Sequence, residues 1–400
     1  MYSLEDMQNE AAELEEKIFA FCSNSRRFDP YIPGFDLPIW VETHDDYDEK
    51  IRTELDRYVD AVSKSFDAHV VSETTNIVQH INEALQCERS RDTEGAKQHI
   101  KAIIKSYSSD RFFISELDDN FAFRGDVGFK NLQRYEVSLS AQASKPLSFF
   151  RIRNGRYEAQ EALQHISRSR VSLCSSGRYN LPDLPCLYLA TTSYCSWRET
   201  GKPDEFSIAG YRPTEYGKKL KILNLVNFSR LQVGIYNSHS MKDSPKELFE
   251  SRVFLYPLTM AVSVAVKNDS DQVGYHPEYT ISHLIMQSLE EFDIDGVAYL
   301  SARVDGNFSF PFCVNLALPV FDDVRVCDSF EMTKPYVLCE GNSQYIYPND
   351  CVKAQSYINE FYDSKYISFY QFYEKCHTTI FSMLDNYLEA QPHYPMKYDK

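Results

Sequence analysis

Residues 177–199 read GRYNLPDLPCLYLATTSYCSWRE and change character three times in twenty-three positions. Gly177 to Asn180 is a turn that presents Arg178. Small residues lead into it (Cys174, Ser175, Ser176), and Pro182 and Pro185 follow. Pro185 to Ala190 is an apolar run broken by Tyr188, the pattern of a buried strand with one phenol to satisfy. Ser193 has the residue type of an N-cap for a short helix, which would carry Glu199 one to two turns in. Turn, strand and helix in such close succession point to a mixed α and β domain around this stretch.

The same mixture extends outward. LSFFRIR (147–153), KILNLV (221–226), RVFLY (252–256) and GVAYLS (296–301) are short, apolar and bounded by turn residues, so they are predicted as strands. Helix is predicted at Ser193 to Thr200 and at Ile281 to Phe292, with a tight turn at Gly296. The most apolar stretch, Val253 to Val266, contains Pro257 and falls short of the roughly 20 residues of a membrane helix. It is read as a buried strand pair. FDDVRVCDSF (321–330) is expected to close the sheet.

Upstream the period is helical. Leu4, Met7, Ala11, Leu14, Ile18 and Phe21 share one face, and Pro30, Pro33, Gly34 and Pro38 then mark a loop. A longer helical pattern covers 47–88, with Ile51, Leu55, Tyr58, Val59, Val62, Val70, Ile77, Ile81 and Leu85. Another helix is expected from Gly95 to Tyr107. The small, polar segment SLSAQASKP (138–146) is a candidate boundary. Cys351 to Glu389 reads as a helix whose aromatic stripe packs a core. The expected organisation is a helical domain over 1–140, an α+β domain over 145–325 and a mostly helical extension over 326–400.

Composition narrows the function. The 400 residues carry 42 Lys and Arg against 58 Asp and Glu, a formal charge of −16 that opposes nucleic acid as a main partner. Ten cysteines with no CxxC pair, in a long chain, read as free thiols of a reducing cytoplasm. Cys376 and His377 are adjacent and chelate poorly, so no metal is expected. The opening MYSLEDMQNEAAELEEK is acidic, unlike the basic-then-apolar pattern of a secretory signal. No membrane association is expected, and self-association into a homo-oligomer stays open.

Taken singly, the candidate side chains have ordinary readings: a surface arginine, a core tyrosine, a solvated glutamate. Together they suit a phosphate-bearing ligand. A guanidinium grips two phosphate oxygens at once, a tyrosine stacks on a heterocycle or meets a ribose, and a carboxylate supplies charge. Downstream, Asp293 to Arg303 ends a predicted strand at Ser301. No GxSxG motif surrounds Ser301, which argues against serine-hydrolase chemistry.

In order along the chain, these motifs resemble the RES domain family. Phe150-Arg151 matches its opening aromatic-Arg pair, and Gly177 to Asn180 its GR-aromatic-N turn. Tyr188 to Ala190 matches its YLA strand, Glu199 its helix-borne glutamate, and Tyr279 to Arg303 its late Y-x-S-x-R region. The spacings of ten from Arg178 to Tyr188 and eleven from Tyr188 to Glu199 fit. The sequence departs from the family pattern at Tyr179, where Trp is common, and at His283, where Gln is frequent.

The resemblance spans roughly 149–320. It implies a split sheet like that of the ADP-ribosyltransferase toxins, and cleavage of the nicotinamide–ribose bond of NAD⁺ by hydrolysis or phosphorolysis. ADP-ribosylation of a protein target is the first alternative, and a non-catalytic nucleotide-sensing or interaction module the second. The family consists mainly of bacterial toxins often paired with an Xre-type antitoxin. The implied catalytic residues are Arg178, Tyr188, Glu199 and Ser301. Arg151, Tyr179, Asn180 and Arg303 are the implied substrate-binding residues, with NAD⁺ as substrate and no further cofactor. Larger members carry an N-terminal helical domain of the HEPN kind. HEPN RNases place Arg and His four to six residues apart on a helix. Arg91 and His99 have seven between them, so residues 1–140 are read as regulatory or scaffolding.

Overall fold

A computed structural model describes residues 35, 37–124, 146–174, 177–227, 245–267, 276–303, 314–338 and 380–398. The predicted helix over 4–21 and most of the 138–146 segment lie outside these residues. So does the larger part of the 351–389 helix, of which Ile380–Ala390 is described.

The fold is α+β with an N-terminal helical region. Helices α1 (Tyr47–Ser65), α2 (Ala68–Arg89) and α3 (Thr93–Ser106) come first. The 47–88 pattern is two helices and not one. Phe66 adopts an extended backbone, and the carboxylate of Asp67 accepts from the amides of His69 and Val70, restarting the helix as its N-cap. Each buries one apolar stripe, such as Tyr47, Ile51, Leu55, Tyr58 and Val62 on α1. A short α4 (Phe121–Arg124) and α5 (Ser193–Glu199) follow. Next come α6 (Pro245–Val262), α7 (Thr280–Met286), α8 (Asp323–Ser329) and α9 (Ile380–Ala390).

Helix α6 corrects the strand readings of Arg252–Tyr256 and Val253–Val266. Val253 to Val262 is helical, and only Val264–Val266 is a strand, β7, which pairs in parallel with β1 (Ile39–Val41). Pro257 sits inside α6 without an N–H to offer the carbonyl four residues earlier. That carbonyl, of Val253, accepts instead from the buried Tyr58 hydroxyl at 2.8 Å. A long-range partner therefore satisfies what the proline leaves open, and no local sequence rule could supply it.

The main sheet holds ten strands among the described residues. They are β2 (Ile114–Glu116), β3 (Phe149–Asn154), β4 (Cys186–Ala190), β5 (Phe206–Pro213), β6 (Lys221–Leu225), β8 (Gly296–Leu300), β9 (Val314–Pro319), β10 (Phe330–Met332), β11 (Tyr336–Leu338) and β12 (Tyr394–Pro395). The order is β12-β10-β5-β3-β4-β9-β8-β6-β2, with β11 also on β5; β6 and β8 run parallel and the other pairs antiparallel. Sequence patterning did not mark β5 or β9. Residues 321–330 form α8 before a strand begins at Phe330, so the sheet is extended by β10 and not by the whole segment. Gly296 is the first residue of β8, and the left-handed residue of the preceding turn is Asp293, at φ 53°. A Cβ at Gly296 would stand 2.7 Å from the Ala317 carbonyl and 2.6 Å from Leu318, so close strand approach is what requires glycine there.

Strands β3 and β4 meet at a single register pair, Phe150 with Ala190. Beyond it they diverge. One half of the sheet pairs on β5 and the other on β9. Helices α1, α2, α3, α6 and α7 share a core with β6 and β8, while α5 and α9 pack over β3 and β5.

Candidate functional site

The gap between the two half-sheets opens into a cavity of about 510 Å³. Among its walls are Arg151 and Arg153 from β3, Arg178 and Asn180 from the turn, Tyr188 from β4 and Glu199 from α5. Tyr279, Arg303 and Asn315 close the far side. Residues separated by more than 100 positions in sequence thus face one space.

The turn forms as the sequence predicts, with the Asn180 amide donating to the Gly177 carbonyl at 3.1 Å. A Cβ at Gly177 would lie 3.3 Å from both the Tyr188 hydroxyl and the Asn180 amide nitrogen, so the turn sits hard against β4. The Tyr188 hydroxyl accepts from the backbone N–H of Tyr179 at 3.1 Å. Burial raises the Tyr188 phenol well above its ordinary range, so it keeps its proton. His283 Nε2 donates to the Gly177 carbonyl at 3.1 Å, and burial pulls its imidazole below its usual value.

Arg178 is held on three sides. Its Nη1 donates to the carbonyls of Val262 (2.6 Å) and Glu278 (3.4 Å), its Nη2 to that of Val264 (2.6 Å), and its guanidinium lies 4.9 Å over the Tyr279 ring. These contacts engage at most three of its five N–H donors. They fix it in the wall. Arg151 crosses the split, its Nη1 donating to the Tyr188 carbonyl at 3.0 Å. Its Nε is buried without a hydrogen-bond partner, and burial lowers its pKa. Arg151 lines the cavity as a residue, and a guanidinium there suits an anionic ligand.

Glu199 ends α5, with its side chain 30% exposed. Thr192, and not Ser193, caps that helix, accepting from the Cys195 amide at 3.0 Å. The Oε1 of Glu199 accepts from Asn315 Nδ2 at 2.6 Å, and its Oε2 lies 3.7 Å from Arg303 Nε. Asn315 is buried in β9 and its own oxygen accepts from the Cys195 thiol at 3.3 Å. The sequence reading missed Asn315. Its one sign is a lone amide among the apolar residues of Val314 to Pro319.

Two other expected residues stand behind the wall. Tyr179 is fully buried, its ring 4.3 Å from that of Tyr299. Ser301 is buried at the end of β8, where its hydroxyl accepts from the Arg303 amide at 3.2 Å; the adjoining wall is formed by Ala302 and Arg303. Two groups of His and Glu converge elsewhere: His44, His276 and Glu278, and His80, Glu83 and His99. No described helix is long and apolar enough to cross a membrane.

No family model matches the chain, and no solved structure matches it. The chain is similar to the protein named "Putative toxin YopC" of Bacillus subtilis (strain 168), 22% identical over 317 residues. The match covers 71% of this chain and 63% of that protein, so the chain spans under two thirds of that relative's length.

Proposed function

We propose that the chain is an NAD⁺-cleaving enzyme of the RES type that acts as a toxin. The observation that carries this reading is the convergence of Arg151, Arg178, Tyr188, Glu199 and Arg303 on one cavity. Its size of about 510 Å³ falls within the roughly 300–1,000 Å³ of small-molecule sites. The toxin name of the similar Bacillus subtilis protein supports the biological role. A separate antitoxin of the Xre kind is the corresponding partner.

Breaking the nicotinamide–ribose bond sends its electron pair to the pyridinium nitrogen, which becomes neutral. Positive charge builds at the ribose C1′, in an oxocarbenium-like transition state. The Glu199 carboxylate stabilises that charge and holds a ribose hydroxyl, in the orientation set by Asn315. Because nicotinamide leaves neutral, no strong general acid is needed. Water then bonds to C1′ and releases a proton, giving ADP-ribose; phosphate in its place gives the phosphorolysis product. The guanidinium groups of Arg151 and Arg178 meet the pyrophosphate. Tyr188 positions the nicotinamide ribose, and Ser301 fixes the strand end that carries Arg303.

Purified protein with NAD⁺ labelled in the adenylate half tests this. Free labelled ADP-ribose is expected, or a phosphate-dependent product. Label retained on protein identifies a transferase using the same pocket, and intact bound NAD⁺ identifies a sensor. Glu199→Gln should still bind NAD⁺ while turnover falls about 10²-fold or more, as with the loss of other transition-state electrostatics. Full activity in that variant would remove Glu199 from the reaction.

A further inference from the structure

Next in the chain to Tyr279, Glu278 is a buried carboxylate with a side chain 3% exposed. Two imidazoles converge on it. His44 Nδ1 lies 3.1 and 3.0 Å from its two oxygens, and His276 Nδ1 lies 3.2 Å from Oε1. The two rings meet edge to face at 4.8 Å, and the three ligand-type atoms all lie within 4.8 Å of one another.

We propose that His44, His276 and Glu278 bind one divalent cation of the zinc class. A carboxylate taken out of water needs a compensating positive charge. An imidazole brings charge to it only when protonated, whereas a divalent ion between the three groups gives charge and bonds together. With metal–ligand bonds of about 2.0–2.2 Å, neighbouring ligands of a tetrahedral ion stand roughly 3.3–3.4 Å apart. The nitrogen-to-oxygen separations here are already close to that. Closing the ring nitrogens by up to about 1.5 Å completes the set. Two imidazoles favour zinc and its neighbours over magnesium or calcium, and three protein ligands leave a fourth position for water. The second group, His80, Glu83 and His99, makes a weaker demand, because its carboxylate is 39% exposed and water already offsets its charge.

The position gives the ion a task. It ties the turn at His44–Asp46 to the turn at Pro277–Tyr279, two segments 234 positions apart at the His44–Glu278 contact. Tyr279 is the ring under Arg178, and the Glu278 carbonyl accepts from that guanidinium. The parallel pair of β1 and β7 joins the same two regions, with Val264 both in that pair and bonded to Arg178. The ion therefore acts as a clasp on the Arg178 side of the cavity. This site rests on its own side chains and is independent of what the cavity binds.

The test uses the full chain, stripped with a chelator, reloaded with zinc sulfate and desalted. Elemental analysis should find about one zinc per chain. Cobalt(II) in its place should give the intense visible absorption of a low-coordinate nitrogen and oxygen site. His44→Ala/His276→Ala and the near-isosteric Glu278→Gln should each weaken zinc binding at least 100-fold, while His80→Ala/His99→Ala leaves it unchanged. If the double variant does not fold, Glu278→Gln and the wild-type cobalt spectrum decide. A wild-type chain that retains no zinc overturns the proposal. So does zinc that persists in Glu278→Gln or disappears only in His80→Ala/His99→Ala.

Discussion

At the scale of single residues, Asn315 fixes the geometry of Glu199. Its amide nitrogen holds one carboxylate oxygen at 2.6 Å while its oxygen takes the Cys195 thiol, so the side chain is pinned from both ends. Under the proposed function, Asn315→Ala should therefore lower kcat about 10–100-fold and leave KM for NAD⁺ nearly unchanged, since an acid that wanders by an ångström loses its transition-state contact before it loses substrate. Steady-state kinetics check this; a change confined to KM would assign Asn315 to binding. His283 supports the turn instead. Folding favours its neutral ring, because burial lowers its pKa while its Nε2–H donates to the Gly177 carbonyl. As pH falls from the ordinary imidazole value of about 6.5, the unfolded chain takes up the proton first. Stability is thus complete above about 6.5 and declines as pH drops toward the lowered folded value. His283→Gln keeps a donor to Gly177 and removes the titration. Urea unfolding of the variant from pH 7 to pH 5 should lose less stability than the parent over that range, and parallel curves would exclude His283 as a contributor.

Among the elements, α6 shows where patterning ran out. Val253 to Val266 is apolar on every side and contains a proline, so periodicity could not distinguish a buried helix from two strands. What decides it lies on α1: the Tyr58 hydroxyl that takes the Val253 carbonyl. Tyr58→Phe keeps the ring, which packs against Phe35 and Tyr256, but orphans that carbonyl. A loss of about 1–3 kcal/mol is expected in chemical denaturation, and an unchanged midpoint would mean that the Val253 carbonyl finds another donor in place of the Tyr58 hydroxyl. The strands flanking the cavity were legible, since Phe149–Asn154, Cys186–Ala190 and Gly296–Leu300 carry their turn signals beside them. Strands β5 and β9 were not. FSIAGYRP and VNLALP bury nearly every position and so present no alternation. The candidate site was legible for the same local reason in Arg178, Tyr188 and Glu199. It was opaque in Asn315 and in the His44–Glu278 pair, whose partners are joined only by the fold.

At the scale of the molecule, the described residues form three buried clusters, and the one that holds the N-terminal helices ignores sequence distance. Ile77 and Ile81 of α2, Val253 and Leu258 of α6, Ile285 of α7 and Val297 of β8 belong to one buried cluster, which reaches Tyr179 beside the cavity. Helix α2 packs directly against α1, α3 and α6. The helices of 47–106 thus share one buried cluster with α6, α7 and residues of β6 and β8, and removing them would expose much of it to water. A cluster of this kind couples the stability of α2 to that of the site. Ile81→Ala, at a fully buried position far from every cavity-lining residue in sequence, should cost about 2–5 kcal/mol. The whole unfolding transition should move with it. Calorimetry, far-ultraviolet circular dichroism and the thermal midpoint of the proposed NAD⁺ cleavage should then shift together, because the weakened cluster also reaches the cavity at Tyr188. Two resolved transitions, with only one displaced and cleavage following the other, would show that the helical region unfolds independently of the sheet that holds Glu199.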